Sequence, residues 1–262
     1  MPRAITPSSV ISLLLVGLIA GCLAEVPPAD PDELVPRLVE LLNDPNPDVR
    51  QTAVLALGKI ARPRAAPALV EKLKDPNPVV RRDSAWALGN LGGEVVDQVG
   101  IALVERLGDP SEEVKTAAAQ ALGEIRATHG LVERLTATLR QADVPTKRAA
   151  IQALALLEAP ASYPALVQAL RDDDAKIRQS AIAALGELAD ARALPLIRDH
   201  LRHDRDAGVR SEAAFRLGKF GNQTVIAALQ SAAADDMDTN VRRWALWASA
   251  QLSGRGGAGS GL

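Results

Sequence analysis

Apolar residues recur along this chain at the three- and four-residue spacing that is typical of helices with one buried face. The first series follows the segment DPDE at residues 30–33, where an N-cap, a proline and acidic residues predict a helix start. Its apolar members are Leu34, Leu38, Leu41 and Leu42. After a turn, a second series contains Val49, Ala53, Ala56, Leu57 and Ile60. The pattern predicts two helices joined by a short polar turn.

This two-helix pattern repeats through the chain. The first turn and second helix read DPNPDVRQTAVLALGKI, and related segments begin every 31 to 34 residues. The seven segments begin at Asp44, Asp75, Asp109, Gln141, Asp172, Asp204 and Asp236. One hairpin cannot bury both of its apolar faces, whereas stacked hairpins can, so we expect the seven copies to form one continuous array.

The repeated pattern Asp-x-x-x-x-Val-Arg-x-x-Ala-x-x-Ala-Leu-Gly resembles HEAT repeats, and among them the HEAT-like repeats named after phycobilisome lyases. The resemblance covers residues 31–252 and implies an all-α, right-handed α-solenoid of about seven helical hairpins. The fourth copy departs from the pattern at Gln141, Thr146 and Ala155. Glycines late in the second helix permit close packing or a helix end. They are Gly58, Gly89, Gly123, Gly186 and Gly218.

Both ends of the chain differ from the repeats. Residues 10–19 form an apolar stretch that is too short to span a membrane and that follows a positively charged start. The segment Leu-Ile-Ala-Gly-Cys, which ends at Cys22, resembles the lipobox of bacterial lipoproteins. This resemblance implies a signal peptide at 1–21, and a lipidated Cys22 followed by a short linker to residue 30. The alternative is an ordinary signal peptide with a cysteine nearby by chance. At the other end, glycine-rich residues 253–262 predict a disordered tail.

The lipoprotein resemblance also implies a location. In that family an aspartate after the cysteine retains the protein at the inner membrane of many Gram-negative bacteria. Leu23 stands at that position, so we expect export and lipid anchoring, at the outer membrane facing the periplasm if the host is Gram-negative.

Composition supports a helical array and excludes some function classes. Aromatic residues make up 2% of the chain, and Ala and Leu dominate the apolar content, which suits thin and closely approaching helices. The 30 Lys and Arg against 32 Asp and Glu leave no basic excess that would attract nucleic acid or anionic lipid. Cys22 is the only cysteine, which excludes an intramolecular disulfide.

One position in every repeat carries a basic residue. The seven are Arg50, Arg81, Lys115, Lys147, Arg178, Arg210 and Arg242. One hypothesis is a basic ladder that binds an anionic ligand. The other is that each residue pairs with turn carboxylates such as Asp44, Asp75 or Asp172, or caps neighbouring carbonyl groups. The family resemblance favours the second hypothesis, since Asp–Arg ladders commonly join HEAT layers, and we interpret the series as a structural ladder.

The few aromatic residues are candidates for a binding surface. Trp86, Phe215 and Trp247 occupy one repeat position, and Arg82 and Arg243 lie four residues before the two tryptophans, on the same helix faces. In HEAT arrays the second helix lines the concave surface, which implies that these residues face a partner. Tryptophan and arginine are enriched in binding hot spots. The alternative is that the rings, like that of Trp244, only fill space between layers.

Signals for catalysis and metal binding are weak. His200 and His203 share a helix face near Asp199 and Asp204, which permits a weak surface metal site. We favour solvated side chains at a helix end, and predict no metal. The sequence contains no Gly-x-Ser-x-Gly, Walker or dinucleotide-binding motif, and no His-Glu dipeptide of the kind found in HEAT-type di-iron hydroxylases. We therefore predict no catalytic residue and no cofactor.

Together these patterns predict a membrane-anchored, non-enzymatic scaffold or adaptor that binds a protein or peptide on its concave surface. The alternative is a lyase-like or ligand-carrying protein that holds a pigment or cofactor in the groove; the export signal and the scarcity of aromatic and histidine residues oppose it. A third hypothesis, DNA binding, conflicts with the net charge and with export. The sequence does not predict the partner's identity or the oligomeric state.

Overall fold

The computed structural model describes residues 30–91, 96–125, 129–157 and 161–257. Within these residues all regular structure is helical, which confirms the predicted all-α solenoid. The fourteen α-helices of the described residues are α1 (Pro31–Leu41), α2 (Pro47–Ile60), α3 (Ala66–Lys72), α4 (Pro78–Asn90), α5 (Val96–Arg106), α6 (Glu112–Glu124), α7 (His129–Gln141), α8 (Val144–Leu156), α9 (Ser162–Ala169), α10 (Ala175–Glu187), α11 (Leu194–His203), α12 (Ala207–Phe220), α13 (Ile226–Asp235) and α14 (Thr239–Gly257).

The helices pair into seven hairpins, each with an odd-numbered helix A and an even-numbered helix B. The turns explain why each B helix begins where it does. In the first repeat, the Asp44 carboxylate accepts a hydrogen bond from the Asn46 backbone N–H over 2.8 Å, and the Asn46 side chain caps α2 by accepting from the Asp48 N–H over 2.9 Å. Short polar side chains at these positions satisfy N–H groups that a helix start leaves unpaired.

Stacking of the hairpins produces one extended core. Each B helix packs closely against the next B helix, whereas contacts between successive A helices are sparser. The B helices therefore lie on the inner side of the array's curve. Their leucines form a buried row down its centre: Leu57, Leu88, Leu122, Leu154, Leu185 and Leu217. Because each layer is covered by its neighbours, stability depends on stacking rather than on a single hairpin.

The predicted ladder residues connect successive repeats. The Arg50 guanidinium donates from Nε and Nη2 to the two carboxylate oxygens of Asp75 in the next turn, over 2.7 and 2.8 Å. Its Nη1 donates to the carbonyls of Asp44 and Pro45 in its own turn, over 2.9 and 3.0 Å. Bridges to the next repeat's aspartate recur at Arg81–Asp109, Lys147–Asp172, Arg178–Asp204 and Arg210–Asp236.

The Arg178–Asp204 bridge is the most enclosed of these ion pairs. Burial by itself would raise the pKa of Asp204, but hydrogen bonds from Arg178, from the Asp206 N–H and from His200 hold that pKa well below its ordinary value. The carboxylate is thus charged and fully engaged at neutral pH. Such bidentate, charge-assisted bonds give geometric specificity as well as energy.

The joint between the third and fourth repeats is different. Lys115 reaches back to Glu112 on its own helix, over 2.8 Å, because Gln141 stands where the other repeats have the turn aspartate. Helix α7 continues to Gln141, which leaves two residues before α8, against three to five in the other hairpins. Gly123 faces the side chain of Leu156 in the next B helix. At the other joints, the corresponding glycine faces a residue that lies about one helical turn earlier in the repeat.

The chain ends are only partly described. Helix α14 continues to Gly257, so residues 253–257, predicted to begin a disordered tail, are helical. Residues 258–262 lie outside the described residues, as do the predicted signal peptide, Cys22 and most of the linker. In the described part of the chain, no helix combines the length and apolarity needed to cross a membrane.

Candidate binding surface

The outward faces of the even-numbered B helices form the inner surface of the array, and the predicted aromatic residues lie on it. Trp86 on α4 is 39% exposed, and its indole covers Gly58 of the preceding B helix. A β-carbon on Gly58 would lie 2.7 Å from this ring, so only glycine leaves room for it. Trp247 on α14 covers Gly218 in the same way. Each indole therefore has one edge fixed against a backbone and another open to a partner.

Three aromatic residues meet at the C-terminal end of this surface. Phe215 stacks on Trp247 with ring centroids 5.7 Å apart and an interplanar angle of 21°. Trp244 packs edge-on against both rings, at 5.1 and 5.6 Å. We call Phe215, Trp244 and Trp247 the aromatic cluster. All three rings are half-buried, so the cluster contributes to packing and also presents apolar surface. Trp86 lies apart, four repeats away from Phe215.

The two predicted arginines are held by polar neighbours. Arg82 donates from Nε to Asp83 over 2.7 Å, and this hydrogen bond raises its pKa. Asp83 is itself buried, and it also accepts from the Gln51 amide of the preceding B helix over 2.8 Å. Arg243 is exposed and donates to Asn240 over 3.0 Å. The positive charge of Arg82 is thus neutralised locally, whereas that of Arg243 remains available on the surface.

Sequence reasoning missed Arg216. It occupies a B-helix position where the other six repeats have alanine. Its aliphatic stem lies against Gly186, where a β-carbon would be 2.6 Å from its Cδ. Its guanidinium donates to Glu212 over 2.7 Å and to Glu187 over 3.4 Å, and its Cζ lies 5.5 Å from the Phe215 ring centroid. Alignment of the seven copies contained the signal, as one arginine among six alanines.

A recess of about 360 Å³ lies beside Arg216 on the inner surface. It crosses three successive B helices, α8, α10 and α12. The lining side chains are Arg148, Lys176, Gln179, Ser180, Ala183, Glu212 and Arg216. Arg148 and Lys176 are exposed, and most of the polar groups here are hydrogen-bond donors. We call this feature the basic recess. Because Arg216 contacts both Glu212 and Phe215, the basic recess and the aromatic cluster form one continuous surface.

The inner surface changes charge along its length. On the B helices of the first three repeats, apart from the buried Asp83, its charged side chains are two basic and three acidic residues, namely Lys59, Arg82, Asp48, Glu113 and Glu124. On the last four repeats there are five basic and two acidic residues, namely Arg148, Lys176, Arg216, Lys219, Arg243, Glu187 and Glu212. A chain with almost no net charge therefore carries a basic region over the last four repeats of this surface. The overall charge of -2 concealed this region.

The histidines considered as metal ligands lie outside this surface. His200 Nδ1 is 2.9 Å from an oxygen of Asp204, and that carboxylate is already bound by Arg178. His203 and Asp199 are exposed and 3.8 Å apart. Among the described residues there is no group of three or more metal-ligating side chains placed to hold an ion.

The stacked hairpins, the ladder between layers and the one-sided inner surface define the class of protein as an α-solenoid. The family model for HEAT repeats matches residues 35–123, 131–215 and 200–257, and the chain belongs to the HEAT repeat family. No curated protein matches the sequence.

Some solved structures are similar to this chain at low identity. Human deoxyhypusine hydroxylase in complex with glycerol is 23% identical, with 95% of this chain and 92% of that one covered and a TM-score of 0.42. The CpcE–CpcF complex of phycocyanin lyase from Nostoc sp. PCC7120 is 22% identical, with 89% and 99% covered and a TM-score of 0.46. An engineered protein is 24% identical, with 84% and 68% covered and a TM-score of 0.44.

Proposed function

We propose that this protein is a non-enzymatic interaction scaffold or adaptor of the bacterial cell envelope, which binds a protein or peptide on its inner surface. The observation that carries the proposal is the continuous surface of aromatic cluster and basic recess, built on rigid helices. Half-exposed tryptophans beside arginines have the composition of binding hot spots. A preformed surface also loses little conformational freedom when it binds.

The proposal includes a lipid anchor on Cys22, as the lipobox resemblance implies, with the array facing the periplasm from the outer membrane of a Gram-negative host. From Cys22 to Asp30 the chain has 8 residues, which reach about 26–29 Å when fully extended. The inner surface would then work close to the bilayer. Membrane fractionation of a Cys22→Ser variant tests this part: we expect the variant to leave the membrane fraction, and retention in it would refute the anchor.

Crosslinked capture from native membranes tests the binding surface. We expect the wild type to capture a partner and a Trp86→Ala/Trp247→Ala variant to lose it. Tyr163→Ala is the matched control, because Tyr163 is half-buried on helix A of the fifth repeat, with the Arg192 guanidinium over its ring at 4.2 Å, away from the inner surface. Unchanged capture by the tryptophan variant, when it is folded, would refute the role of the aromatic residues. Absence of any captured protein would refute the scaffold itself.

A further inference from the structure

Arg216 departs from the repeat pattern in a way that packing does not require. At its position the other six repeats have alanine, and an alanine there is enough to cover the glycine of the preceding helix, as Ala121 covers Gly89. Arginine adds a charged group that reaches the inner surface. Its stem is fixed against Gly186, and its guanidinium lies between the carboxylates of Glu187 and Glu212. The side chain is thus oriented before any partner arrives.

The groups around Arg216 are suited to a carboxylate. Arg148 lies on α8, across the basic recess from Arg216 on α12, and the middle helix α10 adds Lys176 with the neutral donors Gln179 and Ser180. Glu212 is the one carboxylate that lines the recess and it is engaged with Arg216, so Arg148 and Lys176 have no acidic partner among the lining residues. Arginine binds carboxylates through two parallel N–H donors, which a lysine cannot do. A partner's acidic side chain would therefore find more donors here than the recess itself satisfies.

The aromatic cluster adds a second requirement. The Phe215 ring centroid is 5.5 Å from Arg216 Cζ, and Phe215 stacks on Trp247. In an extended peptide, residues two apart point to the same side and lie about 6.6–6.8 Å apart. That spacing matches an acidic side chain in the recess and an apolar or aromatic side chain on the cluster.

We infer that the inner surface of repeats four to seven binds an extended acidic segment of a protein, in which an aspartate or glutamate lies two residues from an aromatic or large apolar residue. Arg148 and Lys176 receive the carboxylate together with Nη2 of Arg216, whose Nε and Nη1 are bonded to Glu212 and Glu187. Phe215 with Trp247 receives the apolar side chain. This inference rests on the proposed function and names the chemistry of the partner that its surface takes.

Calorimetric titration of the full-length protein with designed peptides tests the inference. The probe is a capped peptide made of Glu-Ser-Phe-Ser repeats, and matched peptides replace every Glu with Gln or every Phe with Ala. We expect the Glu and Phe probe to bind, and each matched peptide to bind at least about tenfold more weakly, since the loss of one charge-assisted bond or one aromatic anchor is worth about that factor.

Arg216→Ala is the informative variant. It restores the alanine of the other six repeats, so we expect it to fold, and we expect it to bind the probe at least about tenfold more weakly. Arg192→Ala is the matched control: it removes an exposed arginine that pairs with Asp190 beside Tyr163, away from the inner surface, and affinity for the probe should not change. Lys176→Ala should reduce affinity only severalfold, because its ammonium group is exposed.

Some results would overturn this inference, and they differ from those that would overturn the proposed function. Equal binding of the Glu and Gln peptides, or full affinity in Arg216→Ala, overturns the inference. If these peptide tests fail but Trp247→Ala still abolishes capture from membranes, the proposed function stands and only the inference about the bound segment is wrong. No binding of the probe at about 1 mM, which corresponds to about -4 kcal/mol, also overturns the inference. Displacement of the probe by inorganic phosphate or an oligonucleotide at constant ionic strength would identify a general anion site instead of a peptide site.

Discussion

Two joints of the array show how the same repeat can be connected in different ways. Between the fifth and sixth repeats, Arg178 binds both carboxylate oxygens of Asp204, and both side chains are almost completely buried. Between the third and fourth repeats, Lys115 instead forms its ion pair with the largely exposed Glu112 of its own helix. The first joint is linked by a charged bridge, whereas the second depends on apolar packing between α6 and α8.

The difference shows that the ladder requires a turn geometry as well as a pair of charges. A turn of three to five residues places an aspartate over the preceding repeat's arginine. At the third joint α7 extends to Gln141, and α8 sits one helical turn out of the usual register, so that Leu156 faces Gly123. The inner surface becomes basic beyond the same joint. The irregular turn therefore marks a change in both the packing and the surface charge of the array.

The largest expected effect comes from breaking the bridge at the fifth joint. Asp204→Ala leaves the buried Arg178 without its carboxylate, and we expect the free energy of unfolding to fall by about 3–5 kcal/mol. Glu112→Ala at the third joint should cost less, no more than about 1 kcal/mol, since Glu112 is 74% exposed and water can replace it beside the buried Lys115. Urea unfolding followed by circular dichroism compares the two. Equal losses would show that the bridges add nothing to the packing.

An effect of middle size is expected where glycine meets a ring. Alanine normally stabilises a helix relative to glycine, but Gly58→Ala places a β-carbon 2.7 Å from the Trp86 indole and 2.9 Å from the Ala87 Cα. We expect a net loss of about 1–2 kcal/mol, because overpacking costs about 1–3 kcal/mol and helix propensity returns up to about 1.

The reverse exchange at the same repeat position of the fourth repeat is the control. Ala155→Gly should also destabilise the protein, by about 1–2 kcal/mol, through lower helix propensity and the loss of a buried methyl group. Thermal and urea unfolding measure both variants. A gain of stability in Gly58→Ala would show that the Trp86 indole can move away from a β-carbon at position 58, and that its placement does not require glycine there.

The smallest effect is expected from an attempt to install the missing bridge. Lys115→Arg/Gln141→Asp supplies both charges at the third joint, but residue 141 belongs to α7 and the turn remains short. We expect a gain of no more than about 0.5 kcal/mol, the value of an exposed pair. Lys147→Arg, at a joint with a regular turn and a single bond to Asp172, should gain more. A larger gain in the double variant than in Lys147→Arg would contradict the role of turn geometry.

Much of the fold could be predicted from local patterns. The segment from Asp44 to Ile60 specifies a capped turn and an amphipathic helix, and its seven copies imply stacking, so helix order and register followed from the sequence. The partner of each ladder residue could not be predicted in this way. Arg50 could bind the carboxylate of Asp44 in its own turn or that of Asp75 in the next turn, and the distance between stacked layers determines that it binds Asp75. The offset of Leu156 likewise depends on packing between helices far apart in the sequence.

The candidate site was predicted less completely. Single-residue reasoning identified Trp86, Phe215 and Trp247 from their rarity, and the structure places all three on one surface. The pairing of Arg82 with the adjacent Asp83, and of Asp83 with Gln51, depends on side-chain directions that helix spacing does not show. The aligned repeats show Arg216 as one arginine among six alanines, but a residue that does not recur gives no repeat signal. The lipid anchor on Cys22 remains a prediction.

The irregular joint also has a mechanical consequence. A solenoid under tension extends by small changes at each interface, and an interface without a directional bridge resists least. We expect a force applied between the two ends of the array to open it first between α6 and α8. The repeats on either side of this joint would then move as two stiff units about it. A solenoid with such a joint can stay bound to a partner while the distance between its ends varies.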